Sequence, residues 1–166
     1  MRCVDFEVKK EMLMKCRNAA LDDCRAVYEL ICEIEQARLP YDRFAEIFRK
    51  QVESQLYAHL VCEDGGKVIG VLNLRLEEQL HHAGLVAEIL EFAVDPAYRS
   101  RGIGREMLSR GYALAKERGC GQIEVACNQL RTDTHRFYLR EGMHNFHFRF
   151  SRKLLGEDSG ENALGR

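Results

Sequence analysis

A short turn crowded with arginine and glycine carries the strongest chemical signal in this sequence. It spans residues 94–105 and joins a strand-like stretch to a helical one. N–H groups in a helix's first turn have no partner within the helix and lie at its positive end, so they can hold an anion. Gly102 and Gly104 have no Cβ to keep a phosphate away. The turn also carries three positive charges, on Arg99, Arg101 and Arg105. It matches neither GxGxxG nor a P-loop. It therefore predicts an anion site of another kind, and an arginine-rich surface turn is the alternative.

Two glutamates interrupt the apolar stretch before this turn. Glu88 and Glu91 lie within residues 85–94, where burying an unpaired carboxylate is costly and raises its pKa. They are three positions apart, so a regular strand would place them on opposite faces of its sheet. Such a carboxylate can accept a proton from an amine. The alternative, which the residues leave open, is that one or both pair with an arginine.

The composition limits the class of protein before any helix or strand is assigned. The chain has 166 residues, 46% of them hydrophobic and 31% charged, which is typical of one globular domain. We expect that domain to span residues 1–155, with a flexible tail over 156–166. The net charge is −1, so bulk electrostatics favour no nucleic-acid partner. No apolar run is long enough for a membrane span and residues 1–11 do not resemble a secretory signal, so we expect a cytoplasmic protein.

The cysteines do not read as a disulfide framework. There are seven of them, an odd number, and no two form a CxxC pair. We therefore expect reduced thiols that serve as small core side chains.

The apolar periodicity predicts a mixed α/β domain with the order β-αα-βββ-α-β-α-β. Strands are expected over residues 12–17, 56–62, 67–76, 85–94, 122–127 and 146–150. Asp64-Gly65-Gly66 is the signal for a hairpin turn between the second and third of them. Asp22 and Asp23 should open the first helix, Pro40 should end it, and a second helix should follow. Later helices are expected over residues 103–118 and after residue 131, where Thr132 or Asp133 should provide the N-terminal cap.

The motifs resemble the GNAT superfamily of acyl-CoA-dependent N-acetyltransferases. Residues 99–104 match its (Gln/Arg)-x-x-Gly-x-(Gly/Ala) pyrophosphate loop, and residues 92–96 match its usual strand end. Residues 137–143 match its late aromatic–glycine motif. The resemblance implies a mixed, twisted central sheet flanked by helices, with two middle strands that splay apart to admit acetyl-CoA. It also implies a homodimer, since many relatives form one.

The resemblance assigns roles residue by residue. Glu88 matches the position of the general base in some members, and Tyr138 matches the general acid for the leaving thiolate. An aromatic core residue is the alternative for Tyr138, and a strand-end turn residue is the alternative for Asn128. The implied cofactor-binding residues are Phe92, Ala93, Val94, Arg99, Ser100, Arg101, Gly102, Ile103, Gly104, Arg105, Asn128 and Tyr138.

Within that superfamily, three stretches look like aminoalkylphosphonate N-acetyltransferases. They are residues 26–33, 80–82 and 135–142, and residues 147–150 extend the third. That family acetylates small aminophosphonates and is described as needing a divalent metal. His81 and His82 are the candidate metal or phosphonate ligands, with Glu88 or His135 as further ligands, and a solvated loop is the alternative. Arg38, Arg43 and Arg75 are candidates for holding an anionic substrate, and a solvated charge is the favoured alternative for each of them.

The sequence thus predicts direct acetyl transfer from acetyl-CoA to the primary amine of a small molecule, first of all an aminoalkylphosphonate. Another small amine or a protein amine is the alternative within that class. A catalytically silent CoA-binding module is the alternative outside it, and such a module would not need Glu88 or Tyr138.

Overall fold

Five strands form one sheet in chain order in the computed structural model, which describes residues 14–154. They are β1 (Met14–Asn18), β2 (Tyr57–Asp64), β3 (Lys67–Gln79), β4 (Gly84–Val94) and β5 (Gln122–Val125). The first four are paired antiparallel. The four helices are α1 (Cys24–Glu35), α2 (Tyr41–Val52), α3 (Ile103–Glu117) and α4 (Thr132–Arg140). The predicted mixed α/β class is confirmed.

Two compact units divide the chain, Met1–Glu124 and Val125–Arg166. The first contains the sheet up to Glu124 together with α1, α2 and α3, and the second contains α4. The single domain over residues 1–155 stays a prediction, and the tail over 156–166 lies outside the described residues.

Helices cover both faces of the sheet in the first unit. Val27, Leu30 and Ile31 of α1 form a buried cluster that includes Val71 of β3. A Cβ at Gly111 of α3 would meet the next residue of β3, Leu72, at 2.5 Å. Neighbouring residues of a strand face opposite sides, so α1 and α3 pack on opposite faces.

The β2–β3 hairpin follows its sequence signal. Gly65 and Gly66 form a two-residue loop, and both have positive φ, 57° and 84°. This is the backbone conformation that lets a tight turn match the twist of its strands, and glycine adopts it without steric cost.

The strand predicted over residues 146–150 is not formed. Phe146, Phe148 and Phe150 are 79%, 79% and 92% exposed, and their segment has no regular secondary structure. Alternation gives a strand one apolar face but not a neighbour to pair with, and the described residues supply none here. The predicted caps at Thr132 and Asp133 are also not observed, since the residue at the cap of α4 is Arg131 and makes no side-chain cap bond.

One cysteine pair departs from the expectation of reduced thiols. Cys16 of β1 faces Cys62 of β2, and the two form a disulfide. Because 46 residues separate them in sequence, only the strand register shows that they are neighbours. The free cysteines among residues 14–154 are Cys24, Cys32, Cys120 and Cys127. Cys3 lies outside that range, as do Met12 and Leu13 of the predicted first strand.

No helix described between residues 14 and 154 has both the length and the apolarity that a membrane crossing requires.

Candidate active site

A β-bulge at Leu90 brings Glu88 and Glu91 to the same face of the sheet. Glu91 pairs in register with Asn73, and Glu88 pairs with Arg75. Asn73 and Arg75 are two apart on β3, so they share a face, and their cross-strand partners share it with them. The expectation of opposite faces is wrong because the extra residue interrupts the alternation along β4.

Two polar rows cross the central strands on this face. The register aligns Tyr57 of β2 with Arg75 and Glu88, and it aligns His59 of β2 with Asn73 and Glu91. We call these residues the polar face: Tyr57, His59, Asn73, Arg75, Glu88 and Glu91. The face continues into Val61, Val71 and Ala93, which pack with α1 and α2. The polar face is therefore on the α1 and α2 side of the sheet.

Glu88 forms an ion pair on this face. Arg75 donates from Nη2 to Glu88 Oε2 at 2.7 Å, and the same nitrogen lies 3.4 Å from Glu77 Oε2. The Glu88 side chain is 17% exposed. This is the arginine pairing that the sequence left open. It also engages Arg75, one of the candidates for an anionic substrate, with two carboxylates. Arg38 and Arg43, the other two candidates, pair with Glu29 and Glu46.

Glu91 is held by a neutral amide. Asn73 donates from Nδ2 to Glu91 Oε2 at 2.5 Å and to Gln51 Oε1 of α2 at 3.0 Å. Burial raises the pKa of Glu91 above its ordinary value, the hydrogen bond from Asn73 lowers it, and the charge of Glu88 raises it. Burial has the largest effect, so Glu91 is a better proton acceptor than a solvated glutamate.

His59 and Asn73 have buried polar atoms without partners. Neither ring nitrogen of His59 nor Asn73 Oδ1 finds a hydrogen-bond partner among the described residues. Burial lowers the pKa of His59 to about 4, so its ring is neutral at pH 7. The His59 ring lies edge-on to Phe48 of α2 at 5.6 Å between centroids.

The anion-binding turn follows β4 directly. Asp95 accepts the Ala97 N–H at 2.9 Å and the Lys67 ammonium at 2.7 Å, and the Lys67 hydrogen bond is the main reason its pKa is lowered. Arg99 donates from Nε to the Val94 carbonyl at 3.2 Å. These contacts fix the start of the turn against β4.

The end of the turn opens α3. Ser100 and Gly102 have φ of 61° and 82°, and α3 begins at Ile103. The first helical hydrogen bond runs from Glu106 N–H to Gly102 O at 3.0 Å. The preceding N–H groups of the first turn are therefore free of helical partners, as the anion-binding prediction requires.

Asn128 and Tyr138 lie in the second unit. Asn128 accepts the Leu130 N–H on Oδ1 at 2.9 Å, and its carbonyl lies 2.9 Å from His135 Nε2. This is the turn geometry that was the alternative for Asn128. Tyr138 is buried at 8% exposure, with its ring edge-on to Phe137. The cofactor and acid roles of both residues stay predictions.

The histidine pair does not assemble a metal site. Residues Leu80–His82 form a 3₁₀ turn, which places the two rings 4.2 Å apart between centroids. His82 Nε2 is 3.8 Å from Glu124 Oε1, too long for a normal hydrogen bond. Within residues 14–154 no group of three histidine, cysteine, aspartate or glutamate side chains is arranged to hold a metal. The prediction of a metal at His81 and His82 therefore does not fit the described residues, because two adjacent rings lack a third ligand.

Comparison with known proteins settles the family. The model of the acetyltransferase (GNAT) family matches residues 22–143. The chain belongs to this family. An aminoalkylphosphonate N-acetyltransferase of Salmonella typhimurium is 36% identical over 138 residues, which are 83% of this chain and 90% of that one. This GNAT protein is therefore an acetyl-CoA-dependent N-acetyltransferase.

Solved structures agree on the fold of this GNAT enzyme. An aminoglycoside N-acetyltransferase AAC(6')-Iy in complex with CoA superposes with a TM-score of 0.79 at 15% identity, covering 89% of this chain and 99% of that one. A transcriptional regulator from Bacillus halodurans gives a TM-score of 0.78 at 22% identity, covering 84% and 99%.

Sequence reasoning missed half of the polar face of this GNAT enzyme. Glu88, Glu91 and Arg75 were singled out, whereas Tyr57, His59 and Asn73 were not. A signal was present, because polar residues two apart within apolar strands share one face. Only the strand register shows that they meet the two glutamates.

Proposed function

We propose that this GNAT enzyme transfers the acetyl group of acetyl-CoA to the primary amine of a small aminoalkylphosphonate. The observation that carries the substrate class is the 36% identical relative, which is named for that activity and is matched over 90% of its length. The polar face supports an amine acceptor, because carboxylates attract an ammonium and can take its proton. We also propose that the enzyme is a homodimer, as many GNAT enzymes are, and that it acts in the cytoplasm.

The reaction needs a neutral amine, since an alkylammonium has no lone pair. A carboxylate of the polar face takes one proton from the ammonium, directly or through water. The amine nitrogen then attacks the thioester carbonyl carbon, forming the C–N bond. Collapse of the tetrahedral intermediate breaks the C–S bond, and the phenol of Tyr138, in the role that the family motif implies, protonates the leaving thiolate. The nitrogen loses its second N–H proton in this step, and that proton restores the phenol, directly or through water.

The anion-binding turn would hold the CoA pyrophosphate. Its free first-turn N–H groups and its three arginines favour a diphosphate at the start of α3. The backbone of Val94 would bind the pantetheine arm and polarise the thioester carbonyl, and Asn128 would contact the same arm.

A matched substrate panel tests the proposal. Thiol release from acetyl-CoA is measured with aminoalkylphosphonates of increasing chain length, with aminoalkylcarboxylates of the same lengths and with simple alkylamines. We expect kcat/KM for the best phosphonate to exceed that of its matched carboxylate by about tenfold or more, the effect of one lost charged contact of about 1.4 kcal/mol. Preference for a carboxylate or an uncharged amine contradicts the substrate class. If CoA binds and no amine is acetylated, the chain is a CoA-binding module.

A further inference from the structure

The two carboxylates of the polar face differ in what holds them. Glu88 is paired with the Arg75 guanidinium at 2.7 Å. Glu91 accepts a hydrogen bond from the Asn73 amide, and no cation contacts it among the described residues. A salt bridge stabilises the charged form of a carboxylate and so weakens it as a base. Glu91 is therefore the carboxylate better suited to receive a proton.

Asn73 fixes the orientation of Glu91. Both hydrogens of its amide are used, one by Glu91 and one by Gln51 of α2. Asn73 is 3% exposed, so its position is set by packing as well as by these bonds. A carboxylate held this way keeps one oxygen toward Asn73 and leaves the other available.

The bulge adds a second geometric argument. Without the extra residue at Leu90, Glu91 would point to the α3 side, away from Glu88 and Arg75. Bulges are frequent next to active sites, where they re-aim a side chain. Here the re-aimed side chain is Glu91.

We infer that Glu91 is the catalytic residue that removes the proton from the acceptor amine, that Asn73 positions it, and that Glu88 with Arg75 is a neighbouring positioning pair. The inference rests on the proposed acetyl transfer. One N–H bond of the ammonium breaks, and its proton goes to the free oxygen of Glu91, directly or through one water. The electron pair left on nitrogen forms the C–N bond. The nitrogen of the tetrahedral intermediate then loses a second N–H proton, which balances the proton that the leaving thiolate takes up as the C–S bond breaks. Glu91 releases the first proton to solvent, so one proton is released per amide formed.

The pH dependence of the reaction reports this step, and the surroundings of Glu91 fix the sign of each perturbation. Charged and titratable groups share its face of the sheet on three strands: Glu88 on β4, Arg75 on β3, and Tyr57 and His59 on β2. From α2, Gln51 contributes a neutral amide that is bonded to Asn73, and the α1 side chains that pack on the same face around Val71 and Ala93 are apolar. The negative charge of Glu88 raises the pKa of Glu91, and the Asn73 hydrogen bond lowers it.

The experiment measures kcat against pH with both substrates saturating, so that the profile reports groups in the ternary complex. Glu91→Gln is expected to lower kcat by about 10²–10⁴-fold. It should also abolish the fall in kcat toward low pH, which we call the acidic limb of the profile. Glu88→Gln should keep the limb and move it to lower pH, and Asn73→Leu should move it to higher pH. Glu78→Gln, at an exposed glutamate of β3, is the matched control and should leave the profile unchanged.

Each contrary outcome has one meaning. If Glu88→Gln is the variant that loses the acidic limb, or if Glu91→Gln keeps it unmoved, the assignment to Glu91 is overturned while acetyl transfer stands. If the unmodified enzyme acetylates no amine, the proposed function fails instead. Circular dichroism and CoA binding check that each variant folds. Should Glu91→Gln fail to fold, the opposite shifts of the other two variants decide, and shifts in the same direction or no shifts overturn the assignment.

Discussion

His59 is a titratable side chain held where it cannot carry charge. Its residue is 7% exposed, both ring nitrogens lack partners among the described residues, and burial lowers its pKa to about 4. An unfolded chain would bind a proton at this histidine near pH 6.5, but the folded chain would not. The folded state therefore loses stability relative to the unfolded state as pH falls from 6.5 toward 4, and this group has no effect on the pH dependence above that window.

Replacing His59 by leucine should remove this acid sensitivity. Below pH 6.5 this residue should lower the free energy of unfolding of the wild-type protein by up to about 1.4 kcal/mol per pH unit. The difference in that free energy between His59→Leu and wild type should therefore grow by about 2 kcal/mol between pH 7.5 and pH 5. Urea unfolding at pH 7.5, 6 and 5 measures the difference. His147→Gln, at an exposed histidine, is the control. A difference that stays constant with pH would show that His59 titrates normally in the folded state.

Single residues were predictable where their neighbours in sequence are also their neighbours in space. The anion-binding turn is contiguous, so its glycines, its arginines and the following helix start could all be predicted together. The polar face depends on the register of three strands and on one inserted residue. The sequence therefore identified Glu88 and Glu91 as candidates but placed them on opposite faces.

At the scale of elements, α3 approaches the sheet through a residue without a side chain. A Cβ on Gly111 would lie 2.5 Å from Leu72 Cδ2, and Leu72 is fully buried on the central strand β3. Leu72 has no free space into which it could move, because interiors are close-packed. The closeness of α3 to β3 therefore depends on glycine at this position.

Gly111→Ala should destabilise the protein although alanine favours helix. Propensity alone would stabilise α3 by up to about 1 kcal/mol. Overpacking against Leu72 should cost about 1–3 kcal/mol, so we expect a net loss of up to about 2 kcal/mol. The urea midpoint measures it, and an unchanged slope shows that the same surface unfolds. Ala113→Gly, at an exposed position of the same helix, calibrates the propensity difference. A more stable Gly111→Ala protein would mean that α3 can shift away from the sheet.

Helices and hairpins followed their local patterns, whereas pairings between distant segments did not. The β2–β3 turn and the apolar face of α3 were predicted from spacing alone. Apolar and polar residues alternate over residues 146–150 as they do in a strand, yet this segment pairs with no other part of the described chain. Conversely, Cys16 and Cys62 form a disulfide that their spacing in the sequence did not indicate. The local sequence determines which secondary structure a segment can form. Whether a strand forms also depends on a pairing partner elsewhere in the chain.

For the molecule as a whole, net charge says little about the ligand. The formal charge is −1, yet CoA is a polyanion. Binding must then depend on the local arrangement of free N–H groups and arginines at the start of α3, with little help from the total charge. Because CoA binds only the folded chain, the strength of this arrangement can be measured as stability of the whole protein.

We expect CoA to raise the melting temperature and Gly102→Ala to weaken that effect. At a CoA concentration of 100 times its Kd, the stabilisation is about 2.7 kcal/mol, which for a chain of this length raises Tm by roughly 5–10 °C. Gly102 has a φ of 82°, which costs about 1–2 kcal/mol for a residue with a Cβ. Alanine at position 102 should destabilise the free protein. It should also turn the first N–H groups of α3 away from the diphosphate and so raise the Kd for CoA by about tenfold, equivalent to about 1.4 kcal/mol.

Gly121→Ala is the matched control, because a Cβ at Gly121 meets nothing within 4 Å and that residue is not left-handed. Thermal scans with and without CoA measure both effects. If the Kd for CoA is unchanged in Gly102→Ala, the diphosphate does not bind at the start of α3.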